Sequence, residues 1–444
     1  MKKLYILLLI ACIALWSSTG FAQNFALTNG TIVTVSGGTI ERGTLLIEGE
    51  RISAVGASVR APSDAEVIDC SGLFLYPGMI DPNTDMGLFE ISNVTESQDQ
   101  TEMGAFNTFI RASQGADPNT RLKGIARWNG ITNVITVPKS ADRGMFAGQE
   151  VLFNLGGWTV AEMSDKDPVA MSMTFPNFAS GGGGRGRGGG GAQTGQRGGA
   201  AQGGDQRATA QKSIDYCKEM FENTRIYIKA KEDYTAGKRA DAPVHDVVLE
   251  GLIPVVKKEI PLTISVSGVD NMREAMKFVK DNDIKAVFAG ASDAFRIANE
   301  LAEANIPILY SQLLSTPGQA EPYDLYYAIP SILNKAGVKF AFSISSTSGI
   351  QNLPFLAGMA SAYGLPKDAA LKSVTLFPAE MYGVDDILGS LEVGKLATVV
   401  VTDGDMLEPA TKVIHEFIRG NKIDLTDNIQ YQQYLKYKSR PIKK

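Results

Sequence analysis

Short apolar runs alternate with helical patterns through the middle of the chain, and this alternation is the most restrictive feature of the sequence. The helical patterns include residues 271–281 and 294–304. The apolar runs are 131–137, 169–174, 262–266, 286–289 and 308–310. Repeated strand and helix units over most of a chain of 444 residues predict an α/β fold, and specifically a (β/α)8 TIM barrel.

Both ends of the chain have a different texture, because short strands and tight turns replace the helical patterns. Near the N-terminus the runs 31–35, 44–48 and 51–55 are separated by glycine-containing turns. Near the C-terminus, 389–401 and 413–420 look the same. Alternating residues with turn signals predict antiparallel strands, so we expect the two ends to form one discontinuous β-sandwich beside the barrel.

The content of 44% hydrophobic and 20% charged residues suits one large barrel with a satellite domain. The predicted parts are a signal peptide (1–22), the first part of the sandwich (23–76), the barrel (77–386, with an insert at 180–208), the second part of the sandwich (387–424) and a C-terminal tail (425–444).

The N-terminus has the pattern of an export signal. Basic residues Lys2 and Lys3 precede an apolar run over 4–16, and small residues at Gly20 and Ala22 favour cleavage before Gln23. A competing interpretation is a lipid-attachment box ending at Cys12, but the apolar run continues beyond that cysteine. We therefore expect an exported, periplasmic protein.

Charge and cysteine content exclude several classes of protein. The net charge of −5 provides no basic field for nucleic acid. Once the leader is removed, Cys70 and Cys217 remain, too few for a disulfide framework. After the leader, no apolar run approaches the roughly 20 residues that span a bilayer.

The insert at 180–208 consists almost wholly of Gly, Ala, Gln and Arg, and this composition predicts disorder. It follows a strand and precedes a helical pattern, so we expect it in a βα loop on the face of the barrel where sites are built. RNA binding is the alternative, but its arginines lack the interleaved aromatic residues that stack on bases.

One motif carries a family resemblance. Residues 77–85 read Pro-Gly-Met-Ile-Asp-Pro-Asn-Thr-Asp, which is similar to the P-G-x-I-D-x-H-x-H segment of the amidohydrolase superfamily. Residues 389–398 resemble the G-S-L-E-x-G-K-x-A-D strand pair of its imidazolonepropionase-like members, with Thr398 in place of the final aspartate. The stretches 129–134 and 352–380 extend the resemblance over nearly all of the mature chain.

The resemblance implies where metal ligands would stand. On the first strand, Asn83 and Asp85 occupy the two histidine positions. On later strands, Ser265, Ala289 and Ser345 occupy the positions of histidine, histidine and aspartate. For the family's lysine on the fourth strand there is no candidate, because Lys229 and Lys231 fall in or near a helical pattern.

We therefore expect no metal and no other cofactor, although the family would use zinc or another divalent metal. A centre of that type needs about three to four nitrogen donors, and the only histidines are His245 and His415. A hard-cation site made of Asp81, Asn83 and Asp85 is the alternative, but it falls short of the six to eight oxygens that calcium prefers.

Candidate catalytic residues are Asp81, Asn83, Asp85, Ser265 and Ser345. Asp81 is either an acid or base, or a buried carboxylate hydrogen-bonded near its strand end. The two serines would be nucleophiles only beside a base, and neither histidine is placed to supply one. Three further polar residues either line the mouth or cap helices, and these are Glu90, Asn107 and Arg111.

Two functions follow from the resemblance. The first is hydrolysis of a carbon–nitrogen bond in an amide, cyclic amide or small peptide-like compound, with an altered metal centre that is either active or inactive. The second is an exported pseudoenzyme that binds a ligand or partners an intact amidohydrolase paralogue, since fold alone does not settle function.

Overall fold

The computed structural model describes residues 24–140, 145–178, 203–318, 320–345 and 347–441, without the side chains of 203–206. The predicted signal peptide therefore lies outside the described residues, as does most of the predicted insert. No helix within the described ranges is long and apolar enough to cross a membrane. Cys70 and Cys217 are both buried free thiols.

The strands account for both β-rich ends and for the middle of the chain. They are β1 (Phe25–Val33), β2 (Thr39–Glu48), β3 (Arg51–Gly56), β4 (Glu66–Asp69), β5 (Phe74–Pro77), β6 (Met79–Thr84), β7 (Thr101–Glu102), β8 (Ile131–Thr136), β9 (Lys139–Ser140), β10 (Phe146–Asn154), β11 (Ser164–Thr174), β12 (Leu262–Ser265), β13 (Ala286–Ala289), β14 (Ile308–Tyr310), β15 (Phe340–Phe342), β16 (Val399–Thr402), β17 (Val413–Ile418) and β18 (Asn421–Lys422).

The helices lie mainly between barrel strands. They are α1 (Ala112–Gly115), α2 (Leu122–Trp128), α3 (Val160–Met163), α4 (Gly203–Thr235), α5 (Val247–Val256), α6 (Val269–Asn282), α7 (Ala298–Glu303), α8 (Leu325–Lys335), α9 (Leu353–Ala362), α10 (Lys367–Lys372), α11 (Leu376–Met381) and α12 (Ile429–Lys438), with 3-10 turns at Thr95–Ser97, Ala294–Ile297 and Thr347–Asn352.

The two ends of the chain form one sheet. Its strand order in the described residues is β18-β17-β16-β5-β1-β2-β3, with β4 also paired to β1. The ends meet where β16 runs antiparallel to β5, with Val401 opposite Leu75. Phe25 and Phe417 pack edge to face in its core, with ring centroids 5.0 Å apart. The predicted composite of N-terminal and C-terminal strands is thus present, while the exact domain boundaries stay a prediction.

The middle forms the predicted barrel. Among the described residues its strand order is β15-β14-β13-β12-β11-β10-β8-β6. The first and last of these strands meet through the backbone N–H of Ser345, which donates to the carbonyl oxygen of Asn83 at 3.0 Å. The α/β barrel expectation is therefore confirmed, with a nearly closed ring of strands.

One strand departs from the all-parallel arrangement of a (β/α)8 barrel. β10 runs antiparallel to both of its neighbours, β8 and β11. The connection from β8 to β10 covers only residues 137–145, whereas a parallel crossover needs a dozen or more residues. The chain therefore turns back on itself instead of crossing over through a helix.

Local sequence explains the regular helices around the barrel. In α6 the buried residues include Met272, Ala275 and Val279, spaced three and four apart so that one face packs on the barrel. The helix ends at Asp283, which has the left-handed φ of 50° common after helices. At α5 the side chain of Asp246 accepts hydrogen bonds from the N–H groups of Val248 and Leu249, and so caps the helix start.

Helix α4 begins inside the segment that the sequence predicts as a disordered insert. Residues 203–208 belong to this helix, so the prediction of an insert reaching residue 208 is wrong at its C-terminal end. Ala210, Ile214, Cys217 and Phe221 are buried, which shows that the helix is anchored by helical spacing of apolar residues. The predicted tail also contains a helix, α12.

A buried apolar cluster fills the inside of the barrel. It draws side chains from nearly every barrel strand, including Ile80, Ile135, Leu152 and Leu309. The segment that follows α11 adds further side chains to this cluster, at the end of the barrel where the strands begin. One of them is Tyr382, which is 1% exposed. The barrel is therefore a packed core whose chemistry is confined to its mouth and to the few polar side chains inside it.

Candidate active site at the barrel mouth

The first and last barrel strands end together at the mouth. β6 lies parallel to β8, and it meets the segment after β15 through the bond from Ser345 to Asn83. β12 lies four strands away from β6 in either direction around the barrel. Ser265, at the end of β12, therefore faces Asp81, Asn83 and Ser345 from across the mouth.

Asp81 is fully buried in the middle of β6. Its Oδ1 accepts backbone hydrogen bonds from Asn83 at 3.2 Å and from Ile344 at 3.4 Å. Its Oδ2 has no hydrogen-bond partner among the described residues. Burial raises the pKa of Asp81 to about 7, because the two backbone N–H groups offset only part of the desolvation of its charged form. The carboxyl group thus exchanges its proton near neutral pH.

Asp85 is also buried, but both of its carboxylate oxygens accept hydrogen bonds. Its Oδ2 accepts a hydrogen bond from the Nζ of Lys139 at 2.8 Å, and its Oδ1 accepts two from Thr347. Burial opposes ionisation of Asp85, yet the bonds from Lys139 and Thr347 outweigh it and lower its pKa. Asp85 is therefore a charged carboxylate at neutral pH, unlike Asp81.

Asn83 and Ser345 are joined through their backbones. The side chain of Asn83 is partly exposed, and that of Ser345 is exposed. Ser345 has a φ of 59°, in the left-handed region that few residues other than glycine and asparagine adopt. This turn directs the chain back over the end of β6, and it leaves both side chains open to a ligand.

Ser265 and Ala289 lie on neighbouring strands, paired in register. Ser265 is exposed at its strand end, and Ala289 is buried in the apolar cluster inside the barrel. Ala289 has no side-chain donor for a metal. The described contacts of Ser265 include no base, so its predicted role as a nucleophile gains no support from its surroundings.

The sequence does not predict a buried polar cluster that lies below the mouth. Glu150 of β10 accepts a hydrogen bond from the hydroxyl of Thr263 at 3.1 Å. That hydroxyl is 3.4 Å from the hydroxyl of Tyr382, which donates to the carbonyl oxygen of Pro82 at 3.4 Å. These contacts join β10 to β6 through the middle of the barrel.

Glu150 is neutral at pH 7. Burial raises its pKa to about 8, and the hydroxyl of Thr263 compensates only in part. Its Oε1 has no hydrogen-bond partner among the described residues. Burial, and next the nearby Glu150, also raise the pKa of Tyr382 well above its ordinary value. Burial therefore favours the protonated forms of both Glu150 and Tyr382 in the barrel interior.

The remaining polar candidates lie away from the chemistry. His245 is exposed beside Glu250, and His415 lies in β17 of the sheet. Lys229 and Lys231 belong to α4, as their helical pattern predicts. Asn107 is buried and donates to the carbonyl oxygen of Glu102 at 3.3 Å.

Arg111 and Glu90 lie in the long segment after β6. Arg111 is exposed directly before α1, but its side chain makes no capping hydrogen bond. Burial raises the pKa of Glu90, and Thr120 compensates only in part. Within the described part of the chain, neither residue forms a hydrogen bond or ion pair with Asp81 or Asp85, so both stay candidates for lining the mouth.

The donors at the mouth do not fit the family's metal. Asn83 supplies an amide, Ser265 and Ser345 supply neutral hydroxyls, and Ala289 supplies nothing. Asp81 adds a single buried carboxyl group, and the carboxylate of Asp85 already meets an ammonium group. Within the described ranges no group of three or more His, Cys, Asp or Glu side chains is arranged to hold a metal ion. The chemistry of this donor set favours neither zinc nor calcium.

A large cavity, about 1100 Å³, lies at the opposite end of the barrel, between the barrel and the sheet. Its charged side chains are largely engaged with one another. Arg127 binds Asp427 at 2.9 Å, while Arg419 binds both Glu50 and Asp165. The pairs Arg127–Asp427 and Arg419–Asp165 join the barrel to the C-terminal segments.

Comparisons with known proteins agree with this architecture. Residues 325–426 match the model of the amidohydrolase family. A dihydroorotase from Geotalea daltonii is 33% identical over 102 residues, which cover 22% of this chain and 23% of that protein. The match thus spans about a quarter of the length of that relative.

Solved structures share the fold over nearly the whole chain. An amidohydrolase from Thermotoga maritima MSB8 has a TM-score of 0.75 and 23% identity, covering 90% of this chain and 99% of that one. A Xaa-Pro dipeptidase with methionine in its active site has a TM-score of 0.51 and 13% identity, covering 90% and 100%. The chain therefore shares the fold of the Thermotoga maritima amidohydrolase, and its residues 325–426 match the amidohydrolase family.

Proposed function

We propose that this protein hydrolyses a carbon–nitrogen bond in a small amide, cyclic amide or peptide-like compound at the barrel mouth. The observation that carries the proposal is the state of Asp81. Its carboxyl group lies on the first barrel strand, has one oxygen without a hydrogen-bond partner among the described residues, and has a pKa of about 7. A group that titrates near the working pH is the kind that general acid–base catalysis uses.

The proposed reaction needs no metal. The ionised carboxyl group of Asp81 accepts a proton from water, and the resulting hydroxide adds to the carbonyl carbon of the substrate. Asp81 then returns the proton to the nitrogen as the carbon–nitrogen bond breaks. The products are a carboxylic acid and an amine, and Asp81 ends in its starting state, so protons and atoms balance.

The substrate class is supported by the comparisons. The names amidohydrolase and Xaa-Pro dipeptidase both describe cleavage of amide bonds. Three of the side chains that remain open at the mouth, Asn83, Ser265 and Ser345, are neutral hydrogen-bonding groups. Such groups suit an uncharged amide better than a strongly charged compound.

Asp81→Asn tests this role directly. Purified protein is incubated with a panel of cyclic amides and N-acyl dipeptides, and released amine is measured. We expect hydrolysis by the wild type and a loss of at least about 100-fold in Asp81→Asn, the scale of a lost general base. Glu416→Gln is the matched control, because Glu416 is equally buried with a raised pKa but lies in the sheet. Equal loss in both variants would overturn the role of Asp81.

A second candidate is ligand binding without turnover, as an exported pseudoenzyme or as the partner of an intact amidohydrolase paralogue. The observation that favours it is the complete burial of Asp81, which restricts access of water to the carboxyl group. Here the panel compounds would raise the melting temperature of the protein without releasing amine. Copurification with a paralogue that keeps both histidines of the first strand would support the partnership.

Export to the periplasm is part of the proposal. It is supported by the basic residues Lys2 and Lys3 and by the apolar run over 4–16. N-terminal sequencing of the mature protein should begin at Gln23. A chain that begins at Met1, or a lipid on Cys12, would contradict cleavage at this position.

A further inference from the structure

Lys139 is the positively charged side chain that meets Asp85 at the barrel mouth. Its Nζ lies 2.8 Å from the Oδ2 of Asp85 and 2.8 Å from the Oε1 of Gln100. Asp85 is nearly fully buried, whereas about half of the Lys139 side chain is exposed. An ammonium group thus sits beside the residue that occupies the second histidine position of the family motif.

We propose that Lys139 is a resident cation that takes the place of the metal ion at this mouth. In this role its ammonium group neutralises Asp85 and donates a hydrogen bond to the carbonyl oxygen of the ligand. The first part stands on the geometry of the protein alone. The second part rests on the proposed hydrolytic function.

The charge balance of the site supports the first part. Among the described contacts, removing the ammonium group would leave the buried carboxylate of Asp85 with the hydrogen bonds from Thr347 alone. A buried charge without an opposite charge is strongly destabilising. A metal ion would have to displace Lys139 from the same oxygen, and Asp81 and Asn83 offer too few further donors to repay that exchange.

The hydrogen-bond capacity of Lys139 supports the second part. An ammonium group has three hydrogens, and the described contacts of Nζ, to Asp85 and Gln100, use two of them. The third can donate to a carbonyl oxygen that enters from the exposed side. A fixed positive charge at that oxygen stabilises the negative charge that develops when water adds to the carbonyl carbon. In this scheme Lys139 donates a hydrogen bond, and Asp81 remains the group that transfers protons.

A double-mutant cycle tests the resident cation without any ligand. Lys139→Met and Asp85→Asn should each lower the melting temperature by roughly 3 to 6 °C, as expected for a broken buried pair in a large domain. The double variant should fall no lower than the worse single variant, because removing both charged groups leaves no unpaired charge behind. Additive losses would overturn the proposal.

Lys231→Met is the matched control for the cycle. Lys231 pairs with Glu250 and is about as exposed as Lys139, but Glu250 is more exposed than Asp85. A more exposed ion pair contributes little to stability, so the melting temperature of Lys231→Met should change by less than about 2 °C. An equal drop in Lys139→Met and Lys231→Met would mean that the mouth pair has no special role.

Chemical rescue tests whether a small cation from solution can replace the ammonium group of Lys139 beside Asp85. In Lys139→Ala, methylammonium chloride should reverse at least half of the decrease in melting temperature. Tetramethylammonium chloride at the same ionic strength should not. Absence of a difference between the two salts would contradict the proposal.

Rates of hydrolysis separately test the second part of the proposal, which is the hydrogen bond from Lys139 to the carbonyl oxygen of the ligand. Lys139→Met should lose about 100-fold in kcat, the scale of a lost donor to a developing oxyanion, while Lys139→Arg should keep part of the activity. Unchanged kcat in Lys139→Met would overturn the carbonyl contact. If the wild type hydrolyses no panel compound, the proposed function and this second part fail together, whereas the cycle and the rescue still decide the first.

Discussion

Thr347 donates two hydrogen bonds to the same oxygen of Asp85, from its backbone N–H at 2.9 Å and from its hydroxyl at 2.6 Å. The hydroxyl of Thr347 is also 2.9 Å from that of Thr84. These contacts tie the segment after the last barrel strand to the end of the first. Asp85 therefore helps to close the barrel at its mouth.

Thr347→Val should weaken this closure. The substitution removes the hydroxyl and keeps the backbone donor, so a buried, charge-assisted hydrogen bond is lost. We expect the free energy of unfolding to fall by about 2 kcal/mol, measured by denaturant titration. Thr347→Ser keeps the hydroxyl and should lose clearly less. A loss in the serine variant equal to that in the valine variant would assign the effect to packing.

Stability should fall as the pH rises from 5 to 8. Burial raises the pKa of Glu150 from 4.5 to about 8, so the folded protein holds a proton that the unfolded chain has released. Its stabilising contribution is complete below pH 4.5 and is lost as the pH rises toward about 8. One such proton accounts for at most about 1.4 kcal/mol per pH unit.

Glu150→Gln removes this titration. Its free energy of unfolding should depend less steeply on pH between 5 and 8 than that of the wild type, when both are measured in the same buffers. Asp81 has a raised pKa as well, so a smaller slope of the same sign should remain. Identical slopes for wild type and variant would contradict the assignment of a neutral carboxyl group to Glu150.

Purified untagged protein should contain well under one equivalent of zinc, nickel, manganese or iron. Asn83, Ser265 and Ser345 are neutral donors, Asp81 is a single buried carboxyl group, and Asp85 is paired with Lys139. Treatment with a chelator should leave the melting temperature unchanged. Stoichiometric transition metal in elemental analysis would show that donors other than those assigned here assemble in solution.

Deletion of residues 181–202 should barely affect stability. This range ends where α4 begins, at Gly203. Each doubling of a flexible loop changes its closure entropy by only ~0.6 kcal/mol, so we expect the melting temperature to move by no more than about 2 °C. Altered binding of panel compounds would indicate that the segment covers the mouth. A large loss of stability would contradict the prediction of disorder.

Much of the fold could be predicted from local sequence. The runs 286–289 and 308–310 match β13 and β14, because short continuous apolar runs are typical of buried parallel strands. β10 was missed, because Gln149 and Glu150 interrupt its apolar residues and a buried glutamate has no signature in one sequence. The apolar run 151–153 was the available signal for this strand.

The candidate site was predictable only in part. Asp81, Asn83 and Asp85 lie on one strand, so a local motif identifies them. Lys139 is 54 residues from Asp85, and Tyr382 is 119 residues from Thr263. Such pairs are set by how barrel strands and the final segment come together, and composition and spacing do not encode them.

Incorporation of oxygen from labelled water tests the central claim most directly. Chelator-treated wild type is incubated with the panel compounds in ¹⁸O water, and the acid product is examined by mass spectrometry. We predict one labelled oxygen in the new carboxyl group with the wild type, and no labelled product above background with Asp81→Asn. Product from the wild type only after a metal is added, or equal labelling by Asp81→Asn, would contradict metal-free hydrolysis through Asp81.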